Sequence, residues 1–316
     1  MDVTAWLLDA DPALRWQVLH DLVEAPAEQV AAERARVATD GWGAALLALQ
    51  GPDGQWDGGT YRPGWVDDSK PFFDAWTATA YVLLDLVHLG LDPACEPARL
   101  AVGLVGENSR WEATGTPFFS GETEPCINGM TVSIGAHFGP TVDGVVERLL
   151  ADQLPDGGWN CWAEYGATVS SFHSTLSVVE GLLAWQRSGG EDPQVEEARR
   201  RGESYLLDRR LYRRLSTGTV ADPRFTMFSY PTRWYYDVLR ALDHLRAAGR
   251  RDPRASEAIA ILRDKRGEDG RWLLENVHQG PTHIEMEGPE GAPSRWNTFR
   301  ALRVLRWWDG SAAVRA

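Results

Sequence analysis

Residues 149–162, LLADQLPDGGWNCW, contain the pattern that most strongly constrains the fold of this chain. Gln153, Asp156, Gly157 and Trp159 follow an apolar run, and Pro, Asp and Gly are typical of a tight turn after a helix. Gly supplies a positive φ in such a turn, and the Asp side chain accepts from backbone N–H groups. The segment therefore predicts a helix, a turn and an indole that packs in an apolar slot between neighbouring helices.

The same order of residues returns twice more. Residues 46–59, LLALQGPDGQWDGG, repeat all four residues, whereas residues 262–272, LRDKRGEDGRW, repeat only the Asp, the Gly and the Trp. Weaker versions end at Trp111 and near Arg213. Self-similarity at this scale is typical of folds built from stacked repeats.

A second repeated feature is the start of a helix. The openings lie at residues 11–22, 72–86, 124–135, 170–185, 230–242 and 293–305, where Trp16, Trp76, Cys126, His173, Trp234 and Trp296 align. Consecutive openings leave room for two helices and two loops. Apolar residues recur at three- and four-residue spacing, and no convincing β alternation is present. We therefore predict an all-α fold, with residues 1–316 forming one domain of about six helix pairs. Closure into an (α/α)6 toroid would bury the faces that a single unit leaves bare.

Composition limits the possible partners and compartments. The net charge of −13 argues against nucleic acid as a partner. No apolar run approaches the ~20 residues of a transmembrane helix, and the first residues carry acids where a secretory signal has a basic start. Three cysteines are too few for a disulfide scaffold. We expect a cytoplasmic protein without a transmembrane segment, and its oligomeric state stays open.

The Gln-x-x-Asp-Gly-x-Trp pattern resembles the repeat signature of squalene and oxidosqualene cyclases, and the helix openings resemble those of protein prenyltransferase β subunits. The resemblance covers nearly the whole chain. It implies a toroid that acts on or binds an isoprenoid or other apolar small molecule in a central cavity. Cyclases of this kind use an acidic DxDD cluster, of which residues 73–76 retain only Asp74. The Asp67-Asp68 pair likewise lacks the DDxxD form of a magnesium-diphosphate site.

Prenyltransferase β subunits hold zinc through an acid and a cysteine two residues apart at one helix start and a histidine at a later one. The resemblance therefore implies a Zn²⁺ site at Glu124, Cys126 and His173, with the fourth position taken by water, a substrate thiol or Cys161. Alternatively, Cys126 is a small buried apolar residue and His173 caps its own helix.

The remaining candidates cluster at the helix openings. We predict catalytic roles for Asp74 and Asp237. The expected substrate-binding residues are aromatic, cationic or amide side chains at or just before helix starts: Trp76, Tyr230, Arg233, Trp234, Tyr236, Arg295, Trp296 and Asn297. Arginines at converging helix starts suit a carboxylate or diphosphate. Alternatively, each Arg pairs with an acid of a neighbouring repeat and each Trp belongs to the core.

Two long connections, residues 61–71 and 278–293, are candidate lids over this pole. Two further functions stay open. The first is a non-catalytic toroid that binds a small molecule or a partner protein. The second is a glycan-processing toroid that uses acids such as Asp67, Asp68 and Asp74.

Overall fold

The structure is a computed structural model that describes residues 2–67, 69 and 75–310. This part of the chain is mostly helical, with two short strands, so the predicted all-α class is confirmed. Within these ranges, no helix is both long enough and apolar enough to span a membrane.

The predicted openings begin a set of core helices in the described part of the chain. These are α2 (Pro12–Val18), α5 (Thr79–Leu89), α7 (Pro125–Phe138), α9 (Phe172–Arg187), α11 (Val238–Ala247) and α13 (Arg295–Asp309), and a π-helical turn, Leu19–Val23, extends α2. Short polar side chains cap four of them: Asp11, Ser171, Asp237 and Ser294 accept from a backbone N–H group of the first turn.

Flanking helices alternate with the core helices. They are α1 (Val3–Leu8), α3 (Ala27–Ala35), α4 (Gly41–Ala48), α6 (Glu96–Asn108), α8 (Asp143–Ala151), α10 (Pro193–Asp208) and α12 (Ser256–Asp264). Single 3-10 turns occur at Arg36–Ala38, Phe118–Ser120, Ala163–Tyr165, Pro223–Thr226 and Pro253–Ala255. Strands β1 (Trp272–Leu273) and β2 (Pro293–Ser294) form an antiparallel pair that the sequence did not predict.

Neighbouring core helices run in the same direction. Near the start of both helices, Cys161 contacts Cys126 of α7 and Ser174 of α9. Further along, Gly129 of α7 approaches Ser177 of α9. The last core helix also reaches the first, because Arg303 of α13 forms an ion pair with Asp21 after α2 (3.1 Å). The openings therefore lie at one common end of the core helices.

The three copies of the tryptophan turn share one geometry. Trp56, Trp159 and Trp272 are completely buried, and each indole Nε1 donates over 2.7 Å to a carbonyl ten residues earlier. Their backbone N–H groups donate to the hydroxyls of Thr79, Thr175 and Thr298. Each turn thus ties the end of a flanking helix to the start of a core helix.

The turn residues act as expected. Gly54, Gly157 and Gly270 have φ values of 81°, 97° and 79°. The glutamine of the first two copies also donates to a carbonyl of the next flanking helix: Gln50 reaches Ala101 and Gln153 reaches Ala198. The third copy carries Arg266 at the position of the glutamine, and its guanidinium lies over the Trp272 ring. In the described part of the chain, no flanking helix follows this copy that a glutamine could reach.

Two glycines bring α7 and α9 unusually close together. A Cβ on Gly129 would lie 2.5 Å from the Ser177 carbonyl oxygen, and one on Gly181 would lie 2.4 Å from the Gly129 carbonyl oxygen. Such contacts exclude any side chain at either position, and they hold the N-terminal halves of α7 and α9 side by side.

Candidate metal centre and inter-helix cavity

Three potential metal ligands meet at the start of α7. Single ligand atoms of Glu124, Cys126 and Cys161 all lie within 4.8 Å of one another. The Cys126 Sγ is 3.6 Å from Oε2 of Glu124, and the Cys161 Sγ accepts from the Cys126 backbone N–H over 3.4 Å. Cys126 is buried and the other two are half-buried. We call this group the Glu-Cys-Cys cluster.

The local sequence explains why these atoms meet. Pro125 occupies the first position of α7, where a backbone N–H is not needed, so Glu124 becomes the capping residue and Cys126 lies in the first turn. Cys161 follows the Trp159 turn directly. Its backbone N–H donates to the Ser174 hydroxyl (3.2 Å), and the same hydroxyl lies 3.2 Å from its Sγ.

Burial and mutual contact favour the neutral, protonated forms of Glu124 and Cys126. Burial, and next the nearby Glu122 carboxylate, raise the pKa of Glu124. Contact with Cys161, and next burial, raise the pKa of the Cys126 thiol well above its usual range, and Glu124 adds to this effect. A bound metal ion would reverse these shifts, because it takes the place of the ligand protons.

Two aromatic side chains stand beside the cluster. The rings of Tyr61 and Tyr81 lie 5.1 Å apart, and after burial the Cys126 thiol is among the causes that raise the pKa of both phenols. Tyr81 is 2% exposed, and its side chain is hydrogen-bonded to that of Tyr61. The two tyrosines therefore form a buried aromatic pair beside Cys126.

The donor set fits zinc. With Zn–S distances near 2.3 Å and Zn–O near 2.0 Å, a tetrahedral ion separates its sulfur and oxygen ligands by roughly 3.5 Å, against the 3.6 Å between Cys126 Sγ and Glu124 Oε2. Two thiols and one carboxylate would bind the ion and leave the fourth position open.

His173 lies outside the Glu-Cys-Cys cluster. Its Nδ1 accepts from the Tyr236 backbone N–H over 2.9 Å, which leaves the proton of the neutral ring on Nε2. Burial, and next Arg240, lower the pKa of His173 to about 4. The ring is therefore neutral and presents an N–H group rather than a lone pair. Cys161, and not His173, lies beside Glu124 and Cys126.

Several predicted aromatic residues do converge. Trp76, Tyr235, Trp234 and His173 form a chain of ring contacts with centroids 6.2, 3.9 and 5.3 Å apart. These residues precede or begin α5, α9 and α11, so these starts share one aromatic cluster. Tyr236 stands at its edge and donates to the Leu211 carbonyl (2.5 Å).

Arg233 and Arg295, two predicted substrate-binding residues, already bond to other parts of the protein. Arg233 is buried and pairs with the buried Asp85 at 2.7 Å, and its guanidinium lies over Trp76. Arg295 donates to the Trp6 carbonyl (2.5 Å) and to the Asp9 carbonyl. Arg233 therefore has an acid partner, but Asp85 belongs to α5 and not to an adjacent repeat, and Arg295 bonds backbone carbonyls.

The predicted polar groups are also engaged. Asp237 is buried, and its two carboxylate oxygens accept from the backbone N–H groups of Arg240 and Ser229, so it caps α11. Asn297 donates to the Leu273 carbonyl (3.2 Å). Asp74 lies outside the described residues. Asp67 accepts from the Ser69 backbone N–H, and this hydrogen bond lowers the pKa of the Asp67 carboxyl.

Residues 278–293, one of the two candidate lids, lie over the starts of α5, α11 and α13. The Trp76 indole donates to the Gln279 carbonyl (2.7 Å), its backbone N–H donates to the Pro281 carbonyl (3.1 Å), and His278 stacks on Tyr235 with centroids 4.0 Å apart. Glu287 accepts from the backbone N–H of Trp296 (2.8 Å). This segment closes the end of the core helices at which Cys126 lies.

A separate cavity of about 590 Å³, the inter-helix cavity, lies among the core helices toward their other end. Every core helix contributes to its wall, and α9 does so at helical spacing, through Ser177, Glu180, Ala184 and Arg187. Of the predicted substrate-binding residues, Tyr230 and Trp296 line it; they stack 4.5 Å apart. The other wall residues were missed, although charged residues at three- and four-residue spacing on otherwise apolar helices were a readable signal.

No protein-family model matches the chain, and no curated protein matches it.

Proposed function

We propose that the chain is an (α/α)6 toroid of the prenyltransferase and cyclase type that binds one zinc ion through Glu124, Cys126 and Cys161 and acts on an isoprenoid-like apolar molecule. The observation that carries the proposal is the meeting of one carboxylate and two thiols from two successive repeats within 4.8 Å. The contact between Arg303 and Asp21 supports closure of the repeats into a ring.

Zinc, when bound, supplies Lewis acidity that makes a thiol or water nucleophile available near neutral pH. The protein's own groups orient the site. Ser174 and the Cys126 backbone N–H hold the Cys161 sulfur, and a helix start stabilises a thiolate in that position.

The aromatic side chains suit the apolar part of the substrate. Tyr61, Tyr81 and Trp76 contact one another beside the cluster. Their faces exclude water from an apolar chain and stabilise positive charge that develops on an allylic carbon. The proposal assigns no proton-donating acid, since Asp237 is held as a helix cap.

Metal content tests the zinc assignment. Protein purified without chelators is expected to contain about one zinc per chain, and Cys126→Ser and Cys161→Ser are expected to lose most of it. Cys95→Ser is the matched control, because Cys95 is also half-buried but precedes α6, away from the cluster. Equal zinc content in Cys126→Ser and Cys95→Ser would contradict the assignment.

Turnover is tested with farnesyl diphosphate and a cysteine-containing peptide library. Zinc-dependent release of diphosphate, lost in Cys126→Ser and retained in Cys95→Ser, is the expected result. Zinc-loaded protein that never releases diphosphate contradicts the transferase part of the proposal and leaves the metal centre standing.

One observation favours a non-catalytic alternative, a toroid that binds and retains a small molecule. The segment 278–293 is bonded to Trp76 over the helix starts and restricts access to the aromatic cluster. Native mass spectrometry of freshly purified protein separates the two functions, since a retained lipid without turnover indicates binding alone.

A further inference from the structure

The inter-helix cavity carries an excess of positive charge. Six arginines and three acids line it: Arg34, Arg187, Arg240, Arg246, Arg300 and Arg303 against Asp92, Glu180 and Asp243. The whole chain has a net charge of −13, so the wall has the opposite sign to the rest of the molecule. Low-dielectric walls of one sign concentrate ligands of the other sign.

Some of these arginines are already neutralised. Arg240 binds both oxygens of Glu180 (3.0 and 2.5 Å), Arg246 and Arg303 share Asp243, and Arg300 lies 3.8 Å from the same Asp243 carboxylate. Those pairs make the wall rigid. They do not account for the remaining positive charge.

Arg34 and Arg187 are the arginines left over. Arg34 donates its Nε to the Gly90 carbonyl (2.8 Å), and Arg187 donates one nitrogen to the Ala247 carbonyl. Within residues 2–67, 69 and 75–310, neither has a carboxylate partner. Burial, and next Arg246, lower the pKa of Arg187, as expected where guanidinium groups crowd together.

The inner wall has a different character. Leu84 and Met130 supply apolar surface, and Tyr230 and Trp296 form a stacked aromatic face. Trp296 is 2% exposed, and its indole N–H has no hydrogen-bond partner in the described part of the chain. The aromatic and aliphatic side chains of this wall suit the apolar part of a ligand.

We propose that the inter-helix cavity binds a small organic anion whose carboxylate or phosphate group contacts Arg34 and Arg187 and whose apolar body lies against Tyr230 and Trp296. Planar guanidinium groups bind both anions through paired hydrogen bonds. A volume of 590 Å³ is within the usual range for small-molecule sites. The site is separate from the Glu-Cys-Cys cluster, since Arg187 ends α9 whereas Cys126 begins α7.

Calorimetric titration with four probes tests this site: octyl phosphate, octanoate, octyl glucoside and inorganic phosphate. Octyl phosphate or octanoate is expected to bind at least tenfold more tightly than neutral octyl glucoside and than inorganic phosphate. The tighter of the two anions identifies the head group. Equal binding of octyl glucoside, or no measurable binding of either octyl anion, would overturn the proposal.

Variants then locate the site. Arg187→Gln is expected to weaken binding of the preferred octyl anion several-fold, and Arg34→Gln combined with Arg187→Gln at least tenfold. Arg200→Gln, on the exposed face of α10 with its side chain 63% exposed, is the charge-matched control. Cys126→Ser should bind the probe normally, which keeps this test independent of zinc. Unchanged affinity in folded Arg187→Gln, checked by circular dichroism, would refute the assignment.

Discussion

Truncation of Trp159 tests whether the tryptophan turns stabilise the repeats. Trp159 is completely buried between a flanking and a core helix, and its Nε1 donates to the Leu149 carbonyl over 2.7 Å. Trp→Ala changes in cores cost about 3–5 kcal/mol, and a buried carbonyl left without its donor adds about 1 kcal/mol. Trp159→Ala should therefore lower the free energy of unfolding by about 4–6 kcal/mol. Trp159→Phe, which keeps most of the volume, should lose about 2 kcal/mol.

Urea unfolding followed by far-ultraviolet circular dichroism measures these differences, provided that the slopes of the transitions agree. Trp162→Ala is the internal control, since that indole lies three residues later and is 71% exposed; its cost should stay below about 0.5 kcal/mol. If Trp159→Ala and Trp162→Ala unfold at the same urea concentration as the parent protein, the turn does not hold the repeats together.

Two more predictions concern stability. Gly129→Ala should destabilise the protein by several kcal/mol or rearrange α7 against α9, because its Cβ meets Ser177 backbone atoms at 2.5 and 2.6 Å; Gly144→Ala, where no described atom lies within 4 Å, should leave the thermal midpoint unchanged or raised. Burial alone would raise the pKa of Glu203, but contacts with His244, Arg250 and Arg199 outweigh it and bring the pKa to about 2. Stability from this carboxylate is complete above pH ~4.5 and is lost as the pH falls toward 2, by about 3 kcal/mol at most. Urea titrations at pH 6, 4 and 3 should show a smaller decline in Glu203→Gln, and equal declines would argue against this role.

Local patterns were enough to predict the helical class and the repeats. The Gln-x-x-Asp-Gly-x-Trp turn depends on backbone conformation and on one large apolar side chain, and both requirements are written in consecutive residues. Gly157 and Trp159 therefore adopt the expected φ and burial. The family resemblance singled out Glu124 and Cys126 at one helix start, and the structure brings Cys161 to them.

Long-range partners were harder to predict. Arg233 looked available for an anionic substrate, but its partner Asp85 belongs to another repeat and becomes visible only when α5 and the start of α11 pack together. Likewise, the ring nitrogen of His173 is taken by a backbone N–H from a distant segment. The sequence shows which side chains could act as ligands. Only the folded structure shows which of their atoms already have a partner.

X-ray absorption at the zinc edge tests the proposed metal centre most directly. Protein with one zinc per chain should give about two sulfur neighbours near 2.3 Å, from Cys126 and Cys161, and oxygen neighbours near 2.0 Å, one of them from Glu124. Cys161→Ser should lose one sulfur neighbour, whereas Cys95→Ser should keep both. A folded protein that takes up no zinc, or whose zinc has no sulfur neighbours, would contradict the assignment.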